Sequence, residues 1–479
     1  MASTTRAERD LLGEREVPAN AYYGVQTLRA MENFKISGTP ISVYPGLVDA
    51  LATVKQAAAQ ANCDLGLLDT ERTKAIVAAC EEIRKGAFRD QFVVDVIQGG
   101  AGTSTNMNAN EVIANRALEL MGRARGEYSV ISPNEHVNMS QSTNDVVPTA
   151  LKIASWIAIH RLVDAMNMLQ AAFDAKSKEF KDILKMGRTQ LQDAVPMTLG
   201  QEFSAYAVML REDVQRLREV TNLILEINMG ATAVGTGITA HPDYAEKVCQ
   251  QLASITGIPF VTAPNLVEAT QDAGVFVQLS GVLKRVAVKL SKVCNDLRLL
   301  SSGPRAGLGE INLPPMQAGS SIMPGKVNPV IPEVVNQIAF EVIGNDVTVS
   351  FAAEAGQLQL NAFLPIVAHS IFKSLTHLRN GCVTLAERCI RGITANQEKL
   401  EEHMNRSIGI VTALNPYIGY SNATEIAQEA LRSGRSVADL VLERKLLTKE
   451  QLSEILRPEK LTQAIEIPGV QNRAKKKSA

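Results

Sequence analysis

Aromatic residues are scarce in this chain: Phe, Tyr and Trp together make up 4% of its 479 residues, and Trp156 is the lone tryptophan. A core with so few rings must be built from Leu, Ile, Val, Ala and Met, a composition that favours helix over sheet. An excess of one charge is missing too. Lys plus Arg number 49 against 50 Asp plus Glu, a net charge of −1, which excludes the basic surplus of a nucleic-acid-binding domain. Glycine (32) and proline (19) are too few for a fibrous or disordered chain. The six cysteines, Cys63, Cys80, Cys249, Cys294, Cys382 and Cys389, lack C-x-x-C spacing and neighbouring histidines. They read as buried, reduced thiols rather than a disulfide framework or a zinc site. No apolar stretch follows the basic residues of MASTTRAERDLLG, so no secretory signal is expected. The longest uncharged run, 355–372, carries Gln357, Gln359, Asn361, Pro365 and His369, too polar for lipid. The expectation is a cytoplasmic protein with neither a membrane nor a nucleic-acid partner. The lysine run 475–477 reads as a solvated tail.

What the sequence has in quantity is long helix. Region 1–144 alternates short helical patterns with Gly, Pro and Asn, one of them running from Glu111 to Met121, and reads as a mixed, mostly helical N-terminal domain. Beyond it, segments 145–180, 198–229, 265–300, 330–354 and 363–393 have few breakers, and each far exceeds the usual helix of about 11 or 12 residues. They predict a central long-helix bundle over 145–396. The stretch VIPEVVNQIAFEVIGNDVTVSF at 330–351 has only Glu333, Glu341 and Asp346 as charges, and a helix apolar nearly all round must be surrounded by others. Symmetric copies of the chain are the expected source of that cover. After 396 the pattern shortens, with Ser436 capping VADLVLERK and a Thr448/Gln451 capping box, so 397–479 reads as a small C-terminal helical domain.

Three polar stretches are too well furnished for ordinary loops. QGGAGTSTNMN at 98–108 is uncharged, and its Thr103, Ser104 and Thr105 stand where a helix start offers free N–H groups and partial positive charge. It suits an anion, or it is an elaborate N-cap. HVNMSQSTND at 136–145 repeats the design, with Ser142, Thr143 and Asn144 ahead of a long helix and Pro148 expected in its first turn. GSSIMPGKVNP at 319–329 joins two long helices within an extended loop holding Ser320, Ser321, Lys326 and Asn328. A shorter piece, GRTQLQD at 187–193, adds Thr189 and Gln190. Neutral donors with a single lysine fit a small dicarboxylate. No phosphate-binding glycine motif and no H-E-x-x-H pair occurs.

GSSIMPGKVNP resembles the signature loop of the fumarase/aspartase superfamily, and QGGAGTSTNMN, HVNMSQSTND and GRTQLQDAVPMTLGQE extend the resemblance along nearly the whole chain. The resemblance implies a mainly α, three-domain chain whose signature loop spans 317–329. The central helices would form a multi-helix core in a homotetramer with active sites shared between subunits. Gln190 where fumarases usually show His, and Ser132-Pro-Asn-Glu135 where they show His-Pro-Asn-Asp, resemble the aspartate-deaminating branch. So do LLSSGPRAGLGEINLP at 299–314 and AEAGQLQLN at 353–361. The implied reaction is deamination of L-aspartate to fumarate and ammonia through an aci-carboxylate; class II fumarate hydration and a non-catalytic scaffold are the alternatives. By resemblance Ser320 is the base. Thr103, Ser142, Thr143 and Ser321 would meet the aci-carboxylate, Lys326, Asn328, Thr189 and Gln190 the α-carboxylate, and Asn144 the amino group. No cofactor is implied; a divalent metal such as Mg2+ activates some relatives, and no ligand cluster in the sequence marks a place for one. Of the histidines only His136 borders the site, while His403 reads as a surface residue.

Overall fold

The computed structural model describes residues 4–464, so the 475–477 lysines lie outside the described residues. Helix dominates, and β-structure among the described residues consists of four two-stranded pieces and two isolated bridges. The five long helices are Thr143–Glu179, Leu199–Ile224, Gly274–Leu300, Val330–Glu354 and Leu364–Arg388. Where the sequence predicts one helix from 265, there are two. Leu266–Gln271 stops at Asp272, which is extended (ψ 131°) and whose carboxylate accepts the Gly274 N–H at 2.9 Å, capping the helix that follows. The chain forms two compact units, one of 4–165, 213–288 and 337–380, the other of 166–212, 289–336 and 381–464.

In the first unit, Pro45–Asp64 is alanine-rich and buried on most of its surface, which lets Thr70–Arg84 and Tyr244–Thr256 pack closely against it. The helix expected at Glu111 begins earlier and spans Thr103–Leu120. Its polar first turns look like loop in sequence, but Thr105, Asn106, Asn108 and Asn110 are buried, and Asn138 Oδ1 takes up the side-chain N–H groups of Asn106 and Asn110. Glu111, also buried, reaches across to accept the N–H groups of Gly24, Gln26 and Thr27 at 2.8, 2.8 and 3.1 Å. It thereby caps Val25–Asn33, a helix with no side-chain cap of its own. Thr143–Glu179 contains a window apolar enough to cross a membrane, yet 72% of that window is buried inside the fold.

In the second unit, strands Leu184–Thr189 and Gln192–Thr198 form an antiparallel hairpin. The C-terminal helices pack around Leu414, Ile426 and Val441, and Met186 of the hairpin enters that core. Ser436 caps its helix and the Thr448/Gln451 capping box is present, as the sequence implies. The six cysteines are free and, except for half-buried Cys63, buried. Val330–Glu354, most of which (from residue 337) belongs to the first unit, buries Val335, Ala339, Val342 and Val349 but leaves Phe340 (61% exposed), Val347 and Phe351 (70% exposed) uncovered.

Candidate active site

The expected site residues fall on both units: Thr103, Ser142, Thr143 and Asn144 on the first, Thr189, Gln190, Ser320, Ser321, Lys326 and Asn328 on the second.

On the first unit, Gly100, Ala101 and Gly102 all have positive φ, a turn that delivers the chain into Thr103–Leu120. Gln98, not a hydroxyl, caps this helix: its Oε1 accepts both the backbone N–H and the hydroxyl of Thr105 at 3.0 Å. Thr103 is thereby left exposed at the first turn, its hydroxyl donating to Gly100 O at 2.8 Å. The second stretch resolves the competition among three capping candidates. Ser142 Oγ accepts the Asn144 N–H at 3.2 Å while Asp145 Oδ1 accepts the Ser142 N–H at 2.9 Å, so Ser142 is the cap. Thr143 accepts from Asn106 Nδ2 at 3.2 Å, and Asn144 Nδ2 donates to Ala233 O at 2.7 Å. Pro148 lies beyond the first turn expected for it, inside Thr143–Glu179. Proline supplies no N–H to the carbonyl four residues back, and that carbonyl, of Asn144, instead accepts Asn228 Nδ2 at 3.0 Å.

Beneath these hydroxyls lies a buried network that ties the 98–108 and 136–145 stretches to Lys55, a residue outside any motif. Lys55, fully buried, donates to Asn138 Oδ1 and Gln141 Oε1, both at 2.9 Å, and Asn138 Oδ1 also receives Asn106 and Asn110. Asp145, equally buried, accepts Gly230 N–H at 3.2 Å and Thr232 N–H at 2.9 Å in addition to Ser142. Burial pushes the Lys55 ammonium down to about 7 and the Asp145 carboxyl up to about 7, each opposed by the other's charge. The one sequence signal was a lone lysine in an alanine-rich helix. Asp145→Ala should cost about 3 kcal/mol or more, since the buried N–H groups of Gly230 and Thr232 and the half-buried one of Ser142 lose their acceptor; denaturant unfolding midpoints measure it. His136 Nδ1 accepts the Ser132 N–H at 2.8 Å, which commits the ring to its own turn.

On the second unit, Thr189 and Gln192 pair across a two-residue turn whose central residues, Gln190 (φ 54°) and Leu191 (φ 64°), are both left-handed. Such turns normally use Asn-Gly, and side chains held there cost about 1 kcal/mol or more each. The strain presents Thr189 and Gln190 exposed at the hairpin tip. Loop 319–329 is closed on itself: Gly319 N donates to Lys326 O at 2.8 Å, and Asn328 Nδ2 donates to Gly319 O at 2.7 Å. A Cβ on Gly319 would stand 2.7 Å from both Asn328 N and Lys326 O, so this crossing requires glycine. Inside the closed loop, Ser320 Oγ accepts the N–H groups of Ile322 at 3.2 Å and Met323 at 2.9 Å. Ser321 and Lys326 are exposed beside it. Asn328 thus spends one N–H on the loop itself.

Glu310 is the other residue missed in sequence. It is fully buried, and its carboxylate meets Lys185 at 3.0 Å, Arg188 at 2.6 Å and His403 at 3.2 Å. His403, expected at the surface, is half-buried with its ring against this carboxylate. Burial raises the Glu310 carboxyl, but Lys185 and Arg188 outweigh it and hold it below the usual 4.5. A carboxyl lowered on folding contributes stability that is present above its unfolded pKa and lost as pH falls through the folded one. The unfolding free-energy gap between wild type and Glu310→Gln should therefore shrink as pH falls below the usual carboxylate range, read from denaturant titrations at each pH. Among the described residues no group of three or more His, Cys, Asp or Glu side chains is placed to hold a metal ion.

A family model described as "Lyase" matches residues 13–344, and one described as "Fumarase C C-terminus" matches 410–463. An aspartate ammonia-lyase of Pseudomonas aeruginosa is 60% identical over 460 residues, covering 96% of this chain and 97% of its own. Among solved structures, a fumarate lyase:delta crystallin from Brucella melitensis bound to cobalt superposes with a TM-score of 0.93 at 56% identity, covering 95% of this chain and 98% of that one. A class II fumarase from Schistosoma mansoni superposes with a TM-score of 0.89 at 35% identity, over 95% of this chain and 98% of its own.

Proposed function

We propose, from the premise that this chain belongs to the fumarase/aspartase family of lyases, that it catalyses the reversible deamination of L-aspartate to fumarate and ammonia. The observation that carries the reading is Ser320, whose hydroxyl oxygen accepts two backbone N–H groups within the GSSIMPGKVNP loop. Ser320 removes a proton from the carbon next to the β-carboxylate, the electron pair spreads into that carboxylate as an aci-carboxylate, and the C–N bond then breaks to release ammonia. The difficulty is the second negative charge. Donors that tighten on it lower the barrier, each contributing about a hundred- to a thousandfold in comparable sites. Thr103, Ser142, Thr143 and Ser321 serve in that role. Lys326 and Asn328, with Thr189 and Gln190, hold the α-carboxylate, and Asn144 lies by the amino group.

Identity of 60% to an aspartate ammonia-lyase against 35% to a class II fumarase supports deamination over hydration, as do Gln190 and Ser132 in place of the fumarase histidines. Retention of Ser320, Lys326 and Asn328 argues against a scaffold without activity. The uncovered Phe340, Val347 and Phe351 support assembly: isolated long helices do not leave such rings in water without a partner, and a homotetramer of these bundles would cover them. The same reading places the enzyme in the cytoplasm without nucleic-acid or membrane partners.

Offering L-aspartate and L-malate separately and following the ultraviolet absorbance of fumarate tests the proposal. Fumarate is expected from aspartate; its appearance from malate alone overturns the reading. Turnover should persist after exhaustive chelation, because the reaction needs no cofactor. Loss on chelation with recovery on adding Mg2+ would identify a divalent activator.

A further inference from the structure

We propose that Glu310 is a positioning residue that sets the hairpin tip carrying Thr189 and Gln190, and so governs affinity for the substrate's carboxylate; the proposal rests on the reading of those two residues as substrate contacts. A buried carboxylate is unfavourable unless paired, and an apolar residue of similar volume commonly does as well for stability. What distinguishes Glu310 is where its partners sit. Lys185 and Arg188 belong to the strand that runs into the tip, and Arg188 immediately precedes Thr189. In a regular strand residues three apart point to opposite faces. Here the register shifts between Met186 and Arg188, at Gly187, and the bulge turns both cations onto the same carboxylate. A Cβ on Gly187 would stand 2.9 Å from Val195 O, so the bulge depends on glycine.

The anchor itself is fixed. Glu310 N donates to Leu300 O at 2.9 Å, and Glu310 O accepts Asn396 N–H at 2.9 Å. His403, on helix Gln397–Arg406, approaches the carboxylate from the C-terminal region. A left-handed Gln190–Leu191 turn persists only when its surroundings over-determine it, and the Arg188 clamp two residues before Gln190 supplies that constraint. Without it the tip can relax to an unstrained turn, which re-aims Thr189 and Gln190.

The test uses purified full-length Glu310→Gln and Arg188→Gln, with KM, kcat and thermal midpoint measured on the folded enzyme. KM for L-aspartate should rise about tenfold or more in both while kcat changes less than about threefold. The double variant should be no worse than Glu310→Gln alone, because both act through one clamp. A purely structural role would lower the midpoint and leave KM unmoved. If KM stays within about twofold of wild type in the folded variants, the proposal is overturned. Should Glu310→Gln fail to fold, Arg188→Gln, at a partly exposed position, carries the same test. If wild type converts malate instead of aspartate, the assigned reaction fails in the wild type, and KM for malate is then read in the variants, since both substrates present the carboxylate.

Discussion

Ser320→Ala should lower kcat by about a thousandfold or more, the upper part of the range for a positioned general base, while the oligomer and its melting temperature stay essentially unchanged. A free serine hydroxyl is far too weak an acid to be ionised near neutral pH, so its surroundings must favour the oxyanion. The loop supplies two N–H groups aimed at Oγ, from Ile322 and Met323. Hydrogen bonds to an ionised acceptor are shorter and stronger than those to a neutral one, so the pair favours the oxyanion over the hydroxyl. Exclusion of water when substrate fills the site strengthens the effect. The stability cost is small because the loop is largely exposed, and water can take over the two N–H groups. Lys326→Ala, beside it, should act differently: a contact made equally to bound substrate and transition state shows in KM rather than kcat. Steady-state kinetics on both variants, with thermal melting as control, decide the matter. Near-normal kcat in Ser320→Ala would rule out serine as the base.

The positions that could be read from sequence were those whose local chemistry is out of place. A loop of uncharged hydroxyls and amides around one lysine is conspicuous at 319–329, and the long helices follow from the spacing of breakers alone. Lys55 and Glu310 could not be found this way. Lys55 bonds to Asn138, 83 residues away, and Glu310 to His403, 93 residues away, and a local pattern carries no record of such pairings. Thr103–Leu120 shows a related limit. Its polar first turns resemble loop because the side chains are judged by their own polarity, whereas in the fold Thr105 and Asn106 bond inward to Gln98, Asn138 and Thr143. The capping question in 136–145 had the same character. Three residues could cap, and only the position of Asp145 against Ser142 selects one.

Mixing two inactive variants should restore activity. Thr143 opens a helix of 37 residues whose far end leads into the Thr189–Gln190 hairpin, and at about 1.5 Å per residue that helix rises roughly 55 Å. On the proposed reading, a site shared between subunits takes its 319–329 loop from one chain and its hydroxyls at 142 and 143 from another. Ser320→Ala keeps intact hydroxyls at 142 and 143, whereas Ser142→Ala with Thr143→Val keeps an intact signature loop. If the two are unfolded together and refolded, a site drawing its loop and its hydroxyls from different chains has about one chance in four of receiving both intact, given random mixing in a symmetric oligomer. Activity should return to at most about a quarter of wild type, and separately refolded controls should stay inactive. Loss of the Ser142 cap costs the second variant about 1 kcal/mol, so its melting temperature is checked first. Mass spectrometry then establishes that mixed oligomers formed. Mixed oligomers without activity would mean that each site is built within one chain, and the uncovered Phe340–Phe351 face of Val330–Glu354 would then need an explanation other than the assembly of shared sites.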